Sequence, residues 1–203
     1  MKTNSCWAEN INLSIPLQID DEVQNWNISL PLIKAEDGFS IYALDLMGKV
    51  KDTKMAVGAL FEMLEKAEVS FDTILTAEAK AIELAHELAA LYRHETFTVL
   101  RKSPKLYMKK PIIEVDVQSI TTQRLQQFYL GNDIAQELKG KKVLVVEDVV
   151  STGGTLEAIF TVAEKVGFEI AAVATVLTEG EPRESFKGVP LFNLGHISLP
   201  GYD

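Results

Sequence analysis

Cysteine is nearly absent from this chain, since Cys6 is the only one among 203 residues. One cysteine cannot form an internal disulfide, so the sequence excludes a disulfide-stapled fold and is typical of a reducing compartment. The N-terminal segment MKTNSCWAENINLSIPL has no uninterrupted apolar stretch, and we therefore expect no secretory signal peptide. Together these absences predict a cytoplasmic protein.

Long apolar runs and metal-ligand patterns are also missing. No segment approaches 18 consecutive apolar residues, so the sequence predicts no transmembrane helix and no membrane partner. The chain has three histidines, and neither His86 nor His94 lies at ligand spacing from other donors. We therefore expect no metal site built from protein side chains alone.

Basic residues are outnumbered, with 20 lysines and arginines against 29 acidic residues and a net charge of -9. A chain this acidic repels the phosphate backbone, so nucleic acid is not an expected partner. The composition is otherwise ordinary for a globular protein, at 47% hydrophobic and 24% charged.

Alternating apolar residues dominate the first 48 positions. They recur at every second residue in two runs: Ile11, Leu13, Ile15, Leu17 and Ile19, then Ile28, Leu30 and Leu32. A period of two predicts strands with one solvated face, and residues 39–46 are a candidate third strand. We predict that residues 1–48 form a small antiparallel element that acts as a hood beside the rest of the chain.

Strands and helices alternate over residues 49–203, which we predict to be the core with a C-terminal tail. The predicted helices are 53–67, 78–92 and 155–167, and the predicted strands are 72–77, 96–101, 142–148 and 169–177. Asp52 or Thr53 is the expected cap of the first helix. Nearly continuous apolar strands separated by helices indicate an α/β fold, an open parallel sheet covered on both faces. Residues 102–111 are predicted as a loop, followed by two strands at 112–117 and 124–130.

Two acids end a buried strand just before a loop of small residues. The apolar run 143–146 leads into Glu147 and Asp148, and Ser-Thr-Gly-Gly-Thr follows at 151–155. Ligands of open α/β sheets bind beyond the carboxyl ends of the strands. A loop that opens a helix can bind phosphate through its backbone N–H groups, and its glycines allow close approach. The loop has no lysine, so it is not a Walker loop.

The two carboxylates restrict the class of ligand further, because they would repel a ligand that offered only a phosphate. They fit if they accept hydrogen bonds from sugar hydroxyls or reach a divalent cation that the ligand carries. The sequence therefore indicates a phosphorylated ribose as ligand.

The segment VLVVEDVVSTGGT resembles the phosphoribosyl-pyrophosphate (PRPP) motif of type I phosphoribosyltransferases. The resemblance implies that Glu147 and Asp148 face the ribose hydroxyls. It implies that the 5′-phosphate is held by Ser151, Thr152, Gly153, Gly154 and Thr155. It also implies PRPP and a purine base as substrates, Mg²⁺ carried by PRPP rather than by a protein cage, and a homodimer.

Two further segments resemble the pyrophosphate-binding parts of purine members of this family, namely TAEAKAIELAHELA and VLRKSPK. The implied pyrophosphate contacts are Ala79, Lys80, Arg101, Lys102 and Lys105. Ala81 stands where adenine enzymes commonly have glycine, which puts the close approach of this loop in doubt. Five of the 20 basic residues lie within 101–110, a cationic cluster suited to pyrophosphate. Residues 103–130 are then the implied mobile loop and hairpin.

The resemblance is closest to adenine phosphoribosyltransferases, although the base pocket departs from their pattern. Thr121 replaces a loop glutamate, and Ala43-Leu44-Asp45 replaces Phe-Arg-Asp. Hypoxanthine–guanine enzymes usually carry aspartate at the position of Ser151. Ala43, Leu44 and Val149 are the expected base contacts. Adenine is the favoured base, with xanthine or hypoxanthine next and orotate as a further alternative.

A different class of protein also fits the motif, namely a PRPP-sensing regulator without catalysis. Such a regulator normally needs a DNA-binding part, whereas the first 46 residues are typical of strands and carry few basic residues. The tail from 191 to 201, which contains His196, is a candidate cover for the base site.

Overall fold

The computed structural model describes residues 7–34, 40–118 and 125–200. Eleven strands and four helices are present in these ranges. In chain order they are β1 (Trp7–Ile19), β2 (Glu22–Lys34), β3 (Ser40–Tyr42), α1 (Val50–Lys66), β4 (Thr73–Ala77), α2 (Ile82–Leu91), β5 (Thr98–Leu100), β6 (Ile113–Gln118), β7 (Leu125–Leu130), α3 (Asn132–Leu138), β8 (Lys142–Val150), α4 (Gly154–Val166), β9 (Glu169–Glu179), β10 (Ser185–Phe186) and β11 (Val189–Ile197).

The central sheet has six strands in the order β10-β11-β9-β8-β4-β5. All its neighbouring pairs are parallel except the short β10–β11 pair. The prediction of a mainly parallel sheet flanked by helices is confirmed. Because the strands are parallel, the carboxyl ends of β4, β5, β8 and β9 meet at one edge.

Both faces of this sheet are buried, which explains the unbroken apolar run of β8. Leu144 and Val146 pack into the cluster that contains α1, α2 and β1–β2, whereas Val143 and Val145 pack against α4. All four are fully buried. Each such side chain contributes about 1.5–3 kcal/mol relative to an exposed position.

The N-terminal strands form the predicted antiparallel element, in the order β1-β2-β3. Its inner face joins the same core as α1 through Ile15, Leu17 and Trp26. The Trp26 Nε1 donates to Asp52 Oδ1 over 2.9 Å. The expected capping role of Asp52 or Thr53 is wrong, because α1 begins at Val50 and has no side-chain cap. Asp52 instead links the β1–β2 hairpin to the first turn of α1 through this hydrogen bond.

Three other segments differ from the prediction. Residues 78–81 form a turn, so α2 begins at Ile82, and α3 was not predicted. The tail considered as a cover contains β11, a strand parallel to β9. His196 is fixed there, with Nδ1 2.9 Å from Thr178 Oγ1. The tail therefore extends the sheet through Ile197.

The predicted hairpin is present as β6 and β7, which pair antiparallel. It meets the end of β5 through two reciprocal backbone hydrogen bonds between Arg101 and Tyr129, of 3.1 and 2.8 Å. Thr121 lies outside the described residues. No helix within 7–34, 40–118 and 125–200 is long and apolar enough to cross a bilayer.

Candidate active site

A cavity of about 200 Å³ opens at the edge where β8 and β9 end. Its walls come from the segment around β3, the turn after β4, and the loop after β8. Its lining residues are Ile41, Tyr42, Ala43, Leu44, Lys80, Asp148, Val149, Ser151, Thr152 and Glu179. The structure thus brings the expected base contacts together with parts of the expected PRPP site. Asp45 does not line this cavity, and its Oδ1 accepts a hydrogen bond from Met47 N at 3.3 Å.

The paired acids occupy different environments, because successive side chains of a strand point to opposite faces. Asp148 lines the cavity. Glu147 does not, and it is buried with 7% exposure. Its Oε1 has no hydrogen-bond partner among the described residues. Of this pair, one carboxylate therefore lies in the cavity wall and the other beneath it.

Burial governs the electrostatics of both acids. It raises the pKa of Glu147 well above the ordinary value, with a further rise from Asp148 and opposing effects from Lys102 and an Ala77 backbone hydrogen bond. Burial also raises the pKa of Asp148, against the lowering effects of Lys80 and of nearby backbone N–H groups. Hydrogen-bond donors or cations stabilise the charged form of a desolvated carboxylate, and a ligand can supply them.

Lys80 connects two walls of the cavity. Its Nζ donates to the Leu44 carbonyl over 2.9 Å and lies 4.0 Å from Asp148 Oδ2. Ala79 is exposed in the same turn. Ala81 is 1% exposed and belongs to the core cluster, so its methyl group is directed away from the solvent-facing side of the turn.

Glu78 links this turn to the end of β5, and sequence reasoning assigned it no role. Its Oε1 lies 3.2 Å from Arg101 Nη2, and its Oε2 accepts the Lys102 backbone N–H at 2.8 Å. Arg101 and Lys102 are thereby held beside the turn that carries Lys80. The available signal was the position of Glu78 as the first residue after β4.

The cations of the run 101–110 differ in their partners. Lys102 influences both acids of the site, as their pKa values indicate. Lys105 Nζ donates to Ser103 Oγ at 2.6 Å, and Lys109 lies 3.9 Å from Asp133. Lys80 and Lys102 are therefore the lysines whose charges act at the acids.

The two loop glycines differ in what they permit. Gly153 has φ +87°, and a Cβ there would lie 2.5 Å from Phe186 Cε2. A Cβ on Gly154 would meet no protein atom within 4 Å. Gly154 and Thr155 begin α4, where the first N–H groups lack partners within the helix and favour an anion. Gly153 is thus required by the fold, and Gly154 leaves the helix start open.

Glu179 is a site residue that sequence reasoning missed. It is 4% exposed, and its Oε1 has no partner within the described ranges. Burial raises its pKa, and the Ser151 side chain and Tyr42 backbone oppose this rise. Val150 pairs with Thr178, so Glu179 comes beside Ser151 at the sheet edge. The strand was predicted to end at 177, and register between strands is not visible in one sequence.

Comparison with known proteins points to one domain family. The model of the phosphoribosyl transferase domain matches residues 48–190. The chain is 33% identical over 147 residues to an adenine phosphoribosyltransferase of Pseudothermotoga lettingae, covering 70% of this chain and 82% of that protein. It is 29% identical over 160 residues to a hypoxanthine/guanine phosphoribosyltransferase of Methanothermococcus okinawensis, covering 78% and 82%.

The fold is similar to that of a solved adenine phosphoribosyltransferase from Thermoanaerobacter pseudethanolicus. The TM-score is 0.61 with 23% identity, over 77% of this chain and 88% of that one. This likeness concerns the fold alone. Since the family model covers most of the chain, including the strand-end acids and the loop after them, the chain belongs to the phosphoribosyl transferase domain family.

Proposed function

We propose that this chain transfers the phosphoribosyl group of PRPP to a purine base, with adenine favoured, and releases pyrophosphate. One observation carries the proposal: a single cavity joins Asp148 and the start of the Ser151–Thr155 loop to Ala43, Leu44 and Val149. The first group suits a phosphorylated ribose, and the second offers an apolar surface to a planar base.

Each part of the substrate has a matching part of the site. The N-terminus of α4 receives the 5′-phosphate through backbone N–H groups of the Ser151–Thr155 loop. Asp148 and Glu147 accept ribose hydroxyls, which offsets the cost of their burial. Lys80, Arg101 and Lys102 stabilise the negative charge that develops on departing pyrophosphate, and Ala79 and Lys105 flank them. The base lies against Leu44 and Val149.

Magnesium is proposed as a cofactor that arrives with the substrate. Among the described residues, no group of three His, Cys, Asp or Glu side chains is placed to hold a metal ion. Mg²⁺ commonly takes one or two carboxylates plus substrate phosphates and keeps several waters. When bound, the ion would neutralise charge on the diphosphate. Asp148, which lines the cavity, is the carboxylate that we propose would contact it.

Adenine is favoured because RKSPK and STGGT resemble adenine members, and because Ser151 stands where hypoxanthine–guanine enzymes usually carry aspartate. Hypoxanthine or guanine is the second candidate, supported by the 29% identical relative that carries this name. We also propose a cytoplasmic homodimer, with residues 1–48 as a hood on the 49–203 core.

Pyrophosphate release tests the function directly. The protein is incubated with PRPP, Mg²⁺ and one base at a time: adenine, hypoxanthine, guanine, xanthine or orotate. We expect the largest kcat/KM with adenine. A larger value with hypoxanthine or guanine would move the assignment to the second candidate. PRPP binding in calorimetry without turnover on any base would identify a PRPP sensor and overturn the enzyme assignment.

A further inference from the structure

Glu179 is a buried carboxyl group in the cavity wall to which the function so far assigns no role. It ends β9 with 4% exposure, and its Oε1 has no partner among the described residues. It shares the cavity with Leu44, Val149 and Ser151, where the base is expected. A buried carboxyl oxygen without a hydrogen-bond donor destabilises the folded protein. A bound ligand can supply the missing donor.

The proposed reaction contains a proton that the site must receive. A purine enters with an N–H on its five-membered ring, and the nucleotide product has lost this proton. A side chain that accepts a proton in the transition state must lie within hydrogen-bond reach of the base and must be unprotonated beforehand. The candidate must therefore be a titratable group at the base end of the cavity.

The other charged groups of the cavity are already engaged. Lys80 is a cation that donates to Leu44, and it lies 4.0 Å from Asp148. Asp148 stands at the ribose position. The Tyr42 backbone forms a hydrogen bond with Glu179. His196 on β11 does not line the cavity, and its Nδ1 lies 2.9 Å from Thr178 Oγ1. Glu179 is the remaining carboxyl group on the cavity wall.

We propose that Glu179 is the general base that takes the ring N–H proton of the purine during transfer. This inference rests on the proposed function. The base nitrogen forms a bond to ribose C1 while the bond from C1 to the pyrophosphate oxygen breaks and its electron pair leaves with pyrophosphate. The proton passes to the Glu179 carboxylate, with Ser151 beside it to orient the carboxylate, and is later released to solvent.

The electrostatic environment suits this role. Burial raises the pKa of Glu179 above its ordinary value. A base with a pKa closer to the working pH is a better proton acceptor in the transition state than an exposed carboxylate. The group must be ionised to act, so turnover should fall as the pH drops through this raised pKa.

The test compares Glu179→Gln with Glu169→Gln, an exposed control at the opposite end of β9. Steady-state pyrophosphate release with PRPP, Mg²⁺ and each purine is measured against pH, and PRPP affinity is measured by calorimetry. For Glu179→Gln we expect kcat to fall by about 100-fold or more, PRPP affinity to change less than about twofold, and the acidic limb of the pH profile to lose the contribution of Glu179. The control should match wild type.

The outcomes separate this inference from the proposed function. If wild type turns over and Glu179→Gln keeps its kcat, the role of Glu179 is refuted and the function stands. If wild type turns over no base, both fail. Should Glu179→Gln not fold, Glu179→Asp replaces it, and an unchanged kcat in that folded variant counts against the inference.

Discussion

At the residue scale, the two neighbouring acids occupy different environments, because successive side chains of a strand point to opposite faces. Asp148 lines the cavity, and Glu147 lies beneath it with an unpartnered oxygen. Both carry a raised pKa, chiefly from burial. The ligand-free protein therefore holds carboxylates in an environment that disfavours their charge, and substrate hydroxyls can relieve this cost.

Replacing Asp148 by asparagine should separate binding from folding. We expect PRPP affinity to fall about 10- to 100-fold, because a hydrogen bond to a charged group is worth about 1.5–3 kcal/mol. The free energy of unfolding near pH 8 should not fall, since a neutral amide avoids the burial cost of the carboxylate. Calorimetry and urea unfolding measure the two quantities, with exposed Glu95→Gln as the control. Unchanged PRPP affinity would refute the ribose role of Asp148.

At the element scale, the joint between β8 and α4 depends on two glycines for different reasons. The left-handed φ of Gly153 and its contact with Phe186 belong to the fold, whereas Gly154 faces open space at the helix start. Sequence reasoning gave both glycines the same task of admitting phosphate. The left-handed backbone of Gly153 and the packed position of Phe186 distinguish them.

Alanine at each glycine should give opposite patterns. Gly154→Ala should weaken PRPP binding by at least about tenfold with little change in Tm, because its methyl group lies where the phosphate approaches. Gly153→Ala should lower Tm, because a left-handed residue with a Cβ costs about 1–2 kcal/mol before any clash with Phe186. Differential scanning fluorimetry and PRPP calorimetry test the pair. Equal Tm losses in both variants would contradict the assignment.

The elements that sequence reasoning found are those with strong periodicity. The apolar run of β8 and the helical spacing of α4 were predictable, as was the alternation in β1 and β2. In contrast, α3 has seven residues and buries only Ala135 and Leu138, too few to show a helical period. The sequence of β11 contains Pro190 and Gly195, and these residue types are typical of loops. The positions of Glu78 and Glu179 at the site depend on contacts between elements, and one sequence does not reveal such contacts.

At the scale of the whole molecule, three acids with raised pKa values, two buried and one partly buried, meet at one edge of the sheet in a protein of net charge -9. They are Glu147, Asp148 and Glu179. The folded state binds their protons more tightly than the unfolded state does. Its stability is therefore linked to pH with a definite sign.

We expect the free energy of unfolding of the ligand-free protein to fall as pH rises above the ordinary carboxyl pKa. The loss should continue through the raised pKa values and then level off, because an acid whose pKa rises on folding destabilises the fold once it is ionised. Urea unfolding between pH 5 and pH 8 measures this slope. Glu147→Gln should flatten the slope, and a variant with the wild-type slope would contradict the contribution of Glu147.

The hydrogen bond from Lys80 to the Leu44 carbonyl has a kinetic consequence. If Lys80 turns to pyrophosphate when PRPP enters, it releases the segment that forms the base-facing wall. The two substrates should then add in an obligatory order, with PRPP first. Product-inhibition patterns and calorimetry of the base with and without PRPP test this order. Equal affinity of the base for the free and the PRPP-loaded enzyme would instead indicate random addition.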